Sequence, residues 1–271
     1  MELLTVDIGN TTISLGIVKN QRVLKSWRIE TVLDQALLRS QLHALASEIK
    51  RRSHNLEAVV VCSVVPQLSE VIESHLARVL RIKISRIGRD LKVPIINRYR
   101  NPRQVGQDRL VGSFAAARLY GTPLIVIDFG TAITFDVVSK NKEYLGGIIV
   151  PGLRLTAESL WKKTALLPKV DIQSPRELIG RDTKNSILSG IFYGYGALCD
   201  GLIDRITEKM RSRPIVIVTG GYSHWMRKFI SRDIQHVDKN LIFKGMSLVY
   251  QASRPVSLNK KFPVQQIGTQ E

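Results

Sequence analysis

Two stretches of the chain carry the same set of potentially reactive side chains. Residues 4–18 read LTVDIGNTTISLGIV and residues 124–138 read LIVIDFGTAITFDVV, so Asp7 and Asp128 each end an apolar run and precede a glycine and hydroxyl residues. Glycine lets the backbone approach an anion such as phosphate, which nearby N–H groups and hydroxyls can bind. The acid beside such a turn is placed to hold the counter-cation. One copy could be an ordinary turn, but two copies in matching contexts indicate two phosphate-binding hairpins.

A further pair of chemical groups lies ahead of the later hairpin. Asp108 and Arg109 are adjacent in the sequence GQDR. A carboxylate there could take the proton of an acceptor hydroxyl, and the guanidinium could orient an anionic substrate. The same pair also suits a helix N-terminus, where an acid is favourable and an arginine can find a surface partner.

A third loop follows the apolar run IVIV, at Thr219–Gly221. Its two adjacent glycines permit close backbone approach and suit the adenosine end of a nucleotide. The alternative is a plain turn between a strand and a helix.

Composition limits the classes of protein to which these motifs can belong. The chain has 271 residues, 44% of them hydrophobic, which is enough for two domains with buried cores. We expect a soluble, cytoplasmic protein, because no apolar run reaches the roughly 18 residues that cross a bilayer and the first residues have no leader pattern. Cys62 and Cys199 lie in apolar settings without CxxC spacing, which favours buried core thiols over a zinc site or a disulfide.

The net charge is +17, from 40 Lys and Arg against 23 Asp and Glu. Ten of the basic residues, but only two acids, lie between Arg78 and Arg109. This stretch is typical of a solvated basic face, and it could also lead an anionic substrate towards a site. Its single aromatic residue, Tyr99, argues against a stacking platform for single-stranded nucleic acid.

Hydrophobic periodicity predicts the elements that would position these groups. In the first half we expect three strands within residues 2–30, a helix over 31–52 capped by Thr31, a strand over 58–65, a helix over 67–80 and a strand over 82–87. A linker rich in Pro, Arg and Asn follows at 88–104, and a helix runs from 106 to about 120. After the second hairpin we expect a strand over 146–152, helices over 153–166 and 183–210, a strand over 215–218 and a short helix over 225–230, and residues 241–252 close the fold.

The repeated hairpin predicts a duplicated architecture. A constant offset along the two stretches pairs Thr11 with Ala132. We expect an N-terminal domain over residues 1–110 and a C-terminal domain over 111–253, each an α/β unit with a mixed sheet flanked by helices. Residues 254–271 have few apolar side chains and two prolines, which predicts a flexible tail.

This arrangement resembles the actin, sugar kinase and Hsp70 superfamily, in which two duplicated ribonuclease H-like domains clasp ATP between two phosphate hairpins and an adenosine loop. Within it the chain resembles the type III pantothenate kinases in five segments, namely DIGNT at 7–11, NPRQVGQDR at 101–109, DFGTAITFD at 128–136, GGIIVPG at 146–152 and the run from 180 to 190. The resemblance implies ATP-dependent phosphorylation of pantothenate to 4′-phosphopantothenate, the first step of coenzyme A biosynthesis.

The resemblance also implies roles for individual residues. Asp108 matches the catalytic base, Asp7 the acid that holds Mg²⁺ or another divalent cation through water, and Asp128 the acid that binds K⁺ or NH₄⁺. The implied ATP-binding residues are Asp7, Ile8, Gly9, Asn10, Thr11, Thr12, Ile13, Ser14 and Thr131. The implied pantothenate-binding residues are Tyr99, Gly106, Gln107, Asp108, Arg109 and Thr183. The family also implies a homodimer whose acceptor pocket is completed across the interface.

The helix from Thr183 carries small residues that permit close packing, either with a second subunit or within one: Ser186, Ser189, Gly190, Gly194, Gly196 and Ala197.

Three positions depart from the family pattern. Gln107 replaces the usual Ala, Ile133 the usual Thr, and Asp182 the usual Asn. We expect Ile133 to remove one hydroxyl from the second phosphate loop, and Asp182 to weaken binding of an anionic substrate unless its carboxylate points away.

Two alternatives remain open. The family includes Bvg accessory factors linked to transcriptional control, and the net charge of +17 makes a nucleic-acid partner worth testing, although no recognition helix or zinc module is evident. The chain could also be a kinase or phosphohydrolase for another small molecule of the superfamily. No membrane partner is expected.

Overall fold

The structure is a computed structural model that describes residues 1–53 and 55–254. Its strands are β1 (Glu2–Ile8), β2 (Thr12–Lys19), β3 (Arg22–Glu30), β4 (Ala58–Ser63), β5 (Ile84–Arg86), β6 (Ile96–Asn97), β7 (Leu124–Phe129), β8 (Ala132–Val138), β9 (Glu143–Pro151), β10 (Ile215–Thr219) and β11 (His236–Val237). Its α-helices are α1 (Gln35–Arg52), α2 (Pro66–Leu80), α3 (Gln107–Tyr120), α4 (Leu153–Lys163), α5 (Thr183–Met210), α6 (Ser223–Met226) and α7 (Leu241–Ala252). Short 3-10 helices cover Pro102–Gln104 and Arg227–Phe229.

The strands form two sheets of equivalent topology. One has the order β3-β2-β1-β4-β5, and the other has β9-β8-β7-β10-β11 with β6 added beside β9. In both, the first three strands are antiparallel, the fourth pairs in parallel with the first, and the fifth pairs in parallel with the fourth. The predicted duplication of a mixed α/β unit is therefore confirmed.

The two hairpins differ by one residue at the turn. Ile8 pairs with Ile13 in the first hairpin, whereas Phe129 pairs with Ile133 in the second. Three residues therefore connect the second pair and four connect the first. Because the second turn is one residue shorter, the predicted pairing of Thr11 with Ala132 is wrong by one residue. Thr131 is the structural counterpart of Thr11.

Side-chain alternation on the central strands builds a layered core. On β1, Leu4 and Val6 pack towards α1 and α2, while Leu3 faces the opposite way, towards α3 and α7. The second sheet repeats this arrangement, with α4 and α5 on its outer face and α3 and the start of α7 on its inner face. Helices α3 and α7 thus form a shared layer between the two sheets.

Two elements cross the predicted boundary near residue 110. Strand β6 pairs with β9 of the second sheet, although it precedes that boundary. Helix α7 packs against β1 and β4 of the first sheet, although it follows the boundary. The division into 1–110 and 111–253 remains a prediction. Of the predicted tail over 254–271, all but Arg254 lies outside the described residues.

Several element ends differ from the sequence prediction. Thr31 does not cap α1, because the helix starts four residues later and the Asp34 carboxylate accepts hydrogen bonds from the N–H groups of Ala36 and Leu37. Helix α4 ends at Lys163, short of the predicted residue 166. The periodicity also missed β6 and β11, because a strand of two residues has no pattern to detect.

Helix α5 corrects the expectation about apolar stretches. It is long and apolar enough to cross a membrane by length and composition alone. Its apolar side chains, however, include Leu188, Phe192 and Cys199, which are fully buried in the core under the second sheet. A core helix of a folded domain passes the same test, so α5 is weak evidence for a membrane span. Both cysteines are free and buried, as predicted.

Candidate active site

The two glycine turns lie against each other. The N–H of Gly9 donates to the carbonyl of Thr12 at 3.0 Å, and the N–H of Gly130 donates to that of Ala132 at 3.2 Å. The hydroxyls of Thr11 and Thr131 are 2.6 Å apart and hydrogen-bonded. The predicted phosphate loops are therefore brought together.

Each turn is supported in the same way by the end of its third strand. The N–H of Thr31, after β3, donates to the carbonyl of Thr11 at 3.0 Å. The N–H of Gly152, after β9, donates to the carbonyl of Thr131 at 3.1 Å. A Cβ at Gly152 would lie 2.3 Å from that carbonyl oxygen, so only glycine permits this approach. Thr31 is thus part of the first hairpin, where its hydroxyl also donates to the carbonyl of Gly9 at 2.8 Å.

Three carboxylates converge below the two turns. Asp7 and Asp128 lie one residue before the ends of β1 and β7, and Asp108 lies in the first turn of α3. Burial, followed by repulsion from Asp108 and Asp128, raises the pKa of Asp7 to about 8. Burial, followed by repulsion from Asp108 and Asp136, raises the pKa of Asp128 to about 7. Like charges held together in this way favour the binding of a cation.

Asp108 has a more balanced environment than the other two acids. Burial raises its pKa, while the backbone N–H of Arg109, which donates to Oδ1 at 2.8 Å, and the Arg109 guanidinium oppose that rise. Its carboxylate lies against Gly106, where a Cβ would be only 2.4 Å from Oδ1. A partly buried carboxylate with a raised pKa is suited to accept a proton from a hydroxyl.

No protein cage for a metal forms from these acids. Within residues 1–53 and 55–254, no three side chains of His, Cys, Asp or Glu are grouped so that they could share one metal ion. Asp7 and Asp128 each offer oxygen ligands, which suit Mg²⁺ and monovalent cations whose remaining ligands are water and phosphate oxygens. The donor chemistry therefore fits cations that enter with a nucleotide better than it fits a resident metal.

A cavity of about 620 Å³ opens beside the first hairpin. Its walls come from β2, β3, the loop after β10 and the start of α7, and they include Ser14, Arg28, Gly220, Gly221, Arg227 and Lys239. Three of these side chains are cationic and none of the lining residues is acidic. Such a cavity suits an anionic ligand with an extended body.

The loop at Thr219–Gly221 is more than a plain turn. Gly220 has a φ of +91°, and a Cβ there would lie 2.2 Å from Oδ1 of Asp128. Only glycine can therefore close this loop over the Asp128 carboxylate. The loop lies between the cavity and the second hairpin, and its role as an adenosine loop stays a prediction.

Sequence reasoning missed Arg28. It lies on β3 directly opposite Ser14, and a Cβ at Gly221 would be 3.3 Å from its Nη1. Its charge also lowers the pKa of both Asp7 and Asp128, although burial dominates at each carboxyl. The one signal in the sequence was a cationic residue in the strand that follows the first hairpin, and many exposed strands carry one.

Several of the predicted acceptor-binding residues also come together. Arg109 reaches Asp136 on β8, and its Nη2 lies close to Gly147 on β9. Tyr99 packs beside Gly146 on the same strand. Gln107, next to the proposed base, lies against Gly88, whose φ is +87°. Tyr99 and Arg109 therefore meet at β9, while Gly106, Gln107 and Asp108 directly precede Arg109; we call these five residues the predicted acceptor wall.

Thr183 stands apart from this wall. It is the exposed first residue of α5, and no hydrogen bond or ion pair between described residues connects it to the other predicted site residues. Asp182 caps the same helix, because its carboxylate accepts from the N–H and side-chain amide of Asn185. Asn and Asp serve equally at such a cap, which explains why Asp can replace the usual Asn.

Ile133 corrects another expectation. Its side chain is fully buried in the outer core of the second sheet, in the position that Ile13 occupies in the first. The interpretation that Ile133 removes a hydroxyl from the phosphate loop is therefore wrong, because a side chain at this position points into the core.

The basic stretch is partly neutralised. Four of its ten cations form ion pairs, namely Arg86 with Glu73, Arg89 with Glu73 and Asp90, Arg98 with Glu143, and Arg109 with Asp136. These ion pairs make the positive charge of this stretch smaller than its composition suggests.

A family model for type III pantothenate kinase matches residues 3–205, which include all the residues of the two hairpins and the wall. The chain belongs to this family. Type III pantothenate kinase from Persephonella marina is 40% identical over 253 residues, covering 92% of this chain and 98% of the relative. The enzymes from Finegoldia magna and Geobacter sulfurreducens are each 37% identical, over 91% and 93% of this chain and 96% and 99% of the relatives.

Solved structures of more distant proteins share the fold. A Baf family protein from Campylobacter jejuni has a TM-score of 0.57 at 18% identity, over 92% of this chain and 98% of that one. The ethanolamine utilization protein EutJ from Carboxydothermus hydrogenoformans has a TM-score of 0.56 at 14% identity, over 92% and 90%. These likenesses confirm the two-unit α/β architecture. Because the type III pantothenate kinase relatives align over most of the chain at much higher identity, a regulatory role without kinase activity is not favoured.

Proposed function

We propose that this protein phosphorylates pantothenate with ATP to give 4′-phosphopantothenate, the first step of coenzyme A biosynthesis. The observation that carries the proposal is that Asp108 lies close enough to both Asp7 and Asp128 to raise their pKa values, and that these two acids end the strands before two hydrogen-bonded turns. Phosphoryl transfer needs positioned groups and charge stabilisation more than covalent help from the protein. The site supplies one base, two acids for cations and two loops for phosphates.

The family resemblance suggests the individual roles, and the environments described above are compatible with them. Asp108 accepts the proton of the pantothenate primary hydroxyl. Asp7 holds Mg²⁺ through water molecules. When bound, Mg²⁺ partly neutralises the negative charge of the ATP phosphates. Asp128 holds K⁺ or NH₄⁺ under the loop at Gly220, and the N–H groups and hydroxyls of the turns bind the phosphates. The cavity of about 620 Å³ receives the nucleoside, and we expect the protein to work in the cytoplasm.

An assay of ADP formation tests this proposal. The purified protein should form ADP only when pantothenate, Mg²⁺ and K⁺ or NH₄⁺ are all present. Asp108→Asn should lower kcat by about 100-fold or more, because general base catalysis is lost. Asp171→Asn is the matched control, since Asp171 is exposed on the surface, and it should leave the rate unchanged. A rate within a few-fold of wild type for Asp108→Asn would show that the base is wrongly assigned, and faster turnover of another alcohol would identify a different substrate.

We also propose a homodimer in which Thr183 serves the partner's acceptor site. Apolar side chains remain exposed on α4 and on the segment before α5, namely Leu155, Trp161, Leu166, Leu178 and Ile179. A cavity of about 310 Å³ lies between α4 and α5, with Gly190 and Gly194 in its wall. Such an unpartnered surface next to small residues suits contact with a second copy.

Mixing two inactive variants tests the shared site. Asp108→Asn and Thr183→Ala protomers that exchange freely should regain about a quarter of wild-type activity, because half the dimers are mixed and each of those holds one intact site. A fully active monomer in sedimentation experiments, or no recovery after proven exchange, would contradict the shared pocket.

A further inference from the structure

Asp136 on β8 is a buried acid for which phosphoryl transfer, as described above, has no use. Its side chain is only 4% exposed. Three groups donate to it: Nε of Arg109 to Oδ1 at 2.8 Å, the Tyr144 hydroxyl to Oδ1 at 2.8 Å, and the Thr134 hydroxyl to Oδ2 at 3.1 Å. Burial raises the pKa of this carboxyl, while Arg109 and the two hydroxyls oppose that rise. A buried carboxylate that accepts three hydrogen bonds holds the donor side chains in fixed positions.

The Arg109 guanidinium is held by one edge. Nε donates to Asp136 Oδ1, and Nη2 lies 2.8 Å from the same oxygen without a hydrogen-bond geometry. Nη2 is buried, and its acceptor within reach is this carboxylate oxygen. No hydrogen bond involves Nη1 within residues 1–53 and 55–254, so Nη1 keeps its donors for a ligand.

The surroundings show where the unused donors lie. Arg109 follows the proposed base Asp108, and its Nη2 is close to Gly147, where a Cβ would approach within 2.7 Å. Tyr99 covers the neighbouring Gly146. The guanidinium therefore lies on the predicted acceptor wall, and Asp136 holds it towards β8 and β9 instead of towards Asp108.

We propose that Asp136 is a positioning residue that clamps Arg109 so that the free donors of its guanidinium bind the carboxylate of the acceptor while Asp108 remains available as the base. The inference rests on the proposed function, and it adds a specificity device to it. Arginine donates to carboxylates in fixed planar geometry, so the orientation of the guanidinium decides whether the acceptor carboxylate can be recognised. Without the clamp, Arg109 is free to turn and pair with the adjacent Asp108.

The experiment compares two acceptors that differ only at the recognised end. Pantothenate carries a carboxylate there, whereas panthenol, its alcohol analogue, carries CH₂OH and has the same hydroxyl to phosphorylate. Wild type should prefer pantothenate in kcat/KM. Asp136→Asn should lower kcat/KM for pantothenate by about 10- to 100-fold, as expected for a lost charge-assisted hydrogen bond, and that for panthenol by less than about threefold. The KM for ATP should stay unchanged.

A matched control and a milder variant accompany this test. Glu143→Gln also removes one negative charge that pairs with an arginine, but its partner Arg98 is 61% exposed at the surface, so this change should leave both acceptors unaffected. Tyr144→Phe removes one donor to Asp136 without touching the ion pair, and it should shift acceptor preference in the same direction by about two- to fivefold. This variant keeps the proposal testable if Asp136→Asn does not fold.

The outcomes separate this inference from the proposed function. No ADP formation by wild type with pantothenate would contradict the proposed function itself. Wild type that does not discriminate between the two acceptors, or an equal loss for both in Asp136→Asn or Tyr144→Phe, would overturn the clamp while leaving the kinase assignment intact. Selective loss with pantothenate, reproduced by Arg109→Gln, would support it.

Discussion

Replacing Asp7 by Asn should stabilise the protein without ligands, and it should do so increasingly as the pH rises. Burial and two neighbouring acids raise the pKa of this carboxyl from its ordinary 3.8 to about 8. Between those values the folded protein keeps a proton that the unfolded chain releases, so the stability of the wild type falls with increasing pH. Asn carries no such proton, so the penalty is absent from Asp7→Asn.

The size of the effect follows from the width of that window. Each pH unit between the two pKa values lowers the free energy of unfolding by up to about 1.4 kcal/mol. Raising the pH from 5 to 7 therefore destabilises the wild type by at most about 3 kcal/mol relative to Asp7→Asn. The Asp7 side chain is partly exposed, so screening by water and ions reduces this difference in stability to about 1–1.5 kcal/mol. For a chain of this length, that corresponds to about 2–6 °C in Tm.

Thermal unfolding at pH 5, 6, 7 and 8 in a chelator, without K⁺ or NH₄⁺, measures this difference. The gap in Tm between Asp7→Asn and wild type should widen by about 2–6 °C from pH 5 to pH 7. Asp171→Asn, at an exposed site, should show a constant gap. Mg²⁺ and ATP should narrow the gap for Asp7→Asn, because they stabilise only a site with an ionised Asp7. A gap that does not change with pH would refute the electrostatic account of the site.

Further predictions concern the nucleotide side of the site. Gly220→Ala should lower kcat at least about tenfold, since a Cβ would overlap Oδ1 of Asp128, whereas Gly112→Ala, in open space on α3, should keep full activity and raise stability by up to about 1 kcal/mol in thermal unfolding. Arg28→Gln should raise the KM for ATP about tenfold in steady-state kinetics, because it removes a cation from the cavity wall, and the exposed Lys25→Gln on the same strand should not. The K⁺ concentration for half-maximal rate should rise about fivefold from pH 7 to pH 6, because protonation of Asp128, with a pKa of about 7, removes the ligand; a constant value would contradict that role.

Local patterns were sufficient to predict most of the fold. Both hairpins, α3 and α5 carry their signals in consecutive residues, through apolar periodicity and glycine spacing. The repeated hairpin was also enough to predict the duplication, which the equivalent sheet orders confirm. The assignment of Asp108 as the base came from a family motif and stays a prediction, and the structure shows that Asp108 lies close enough to Asp7 and Asp128 to raise the pKa of both.

The features that the sequence did not reveal depend on contacts between distant residues. Arg28 matters because β3 brings it opposite Ser14 and the loop at Gly221, more than 190 positions away along the chain. Asp136 matters because β8 faces the start of α3, and nothing in its local sequence indicates the Arg109 partner. The sequence does not reveal the shorter second turn, because the acid and the glycine that match the two copies both precede the missing residue.

The hydrogen bond between Thr11 and Thr131 joins two structurally equivalent hydroxyls. These hydroxyls thus meet where the duplicated units adjoin. ATP has no internal repeat, so the triphosphate that we propose to bind here presents a different group to each unit. Two identical turns could not both bind it optimally. A turn that is shorter in one unit than in the other is the expected consequence of binding an asymmetric molecule between two equivalent loops.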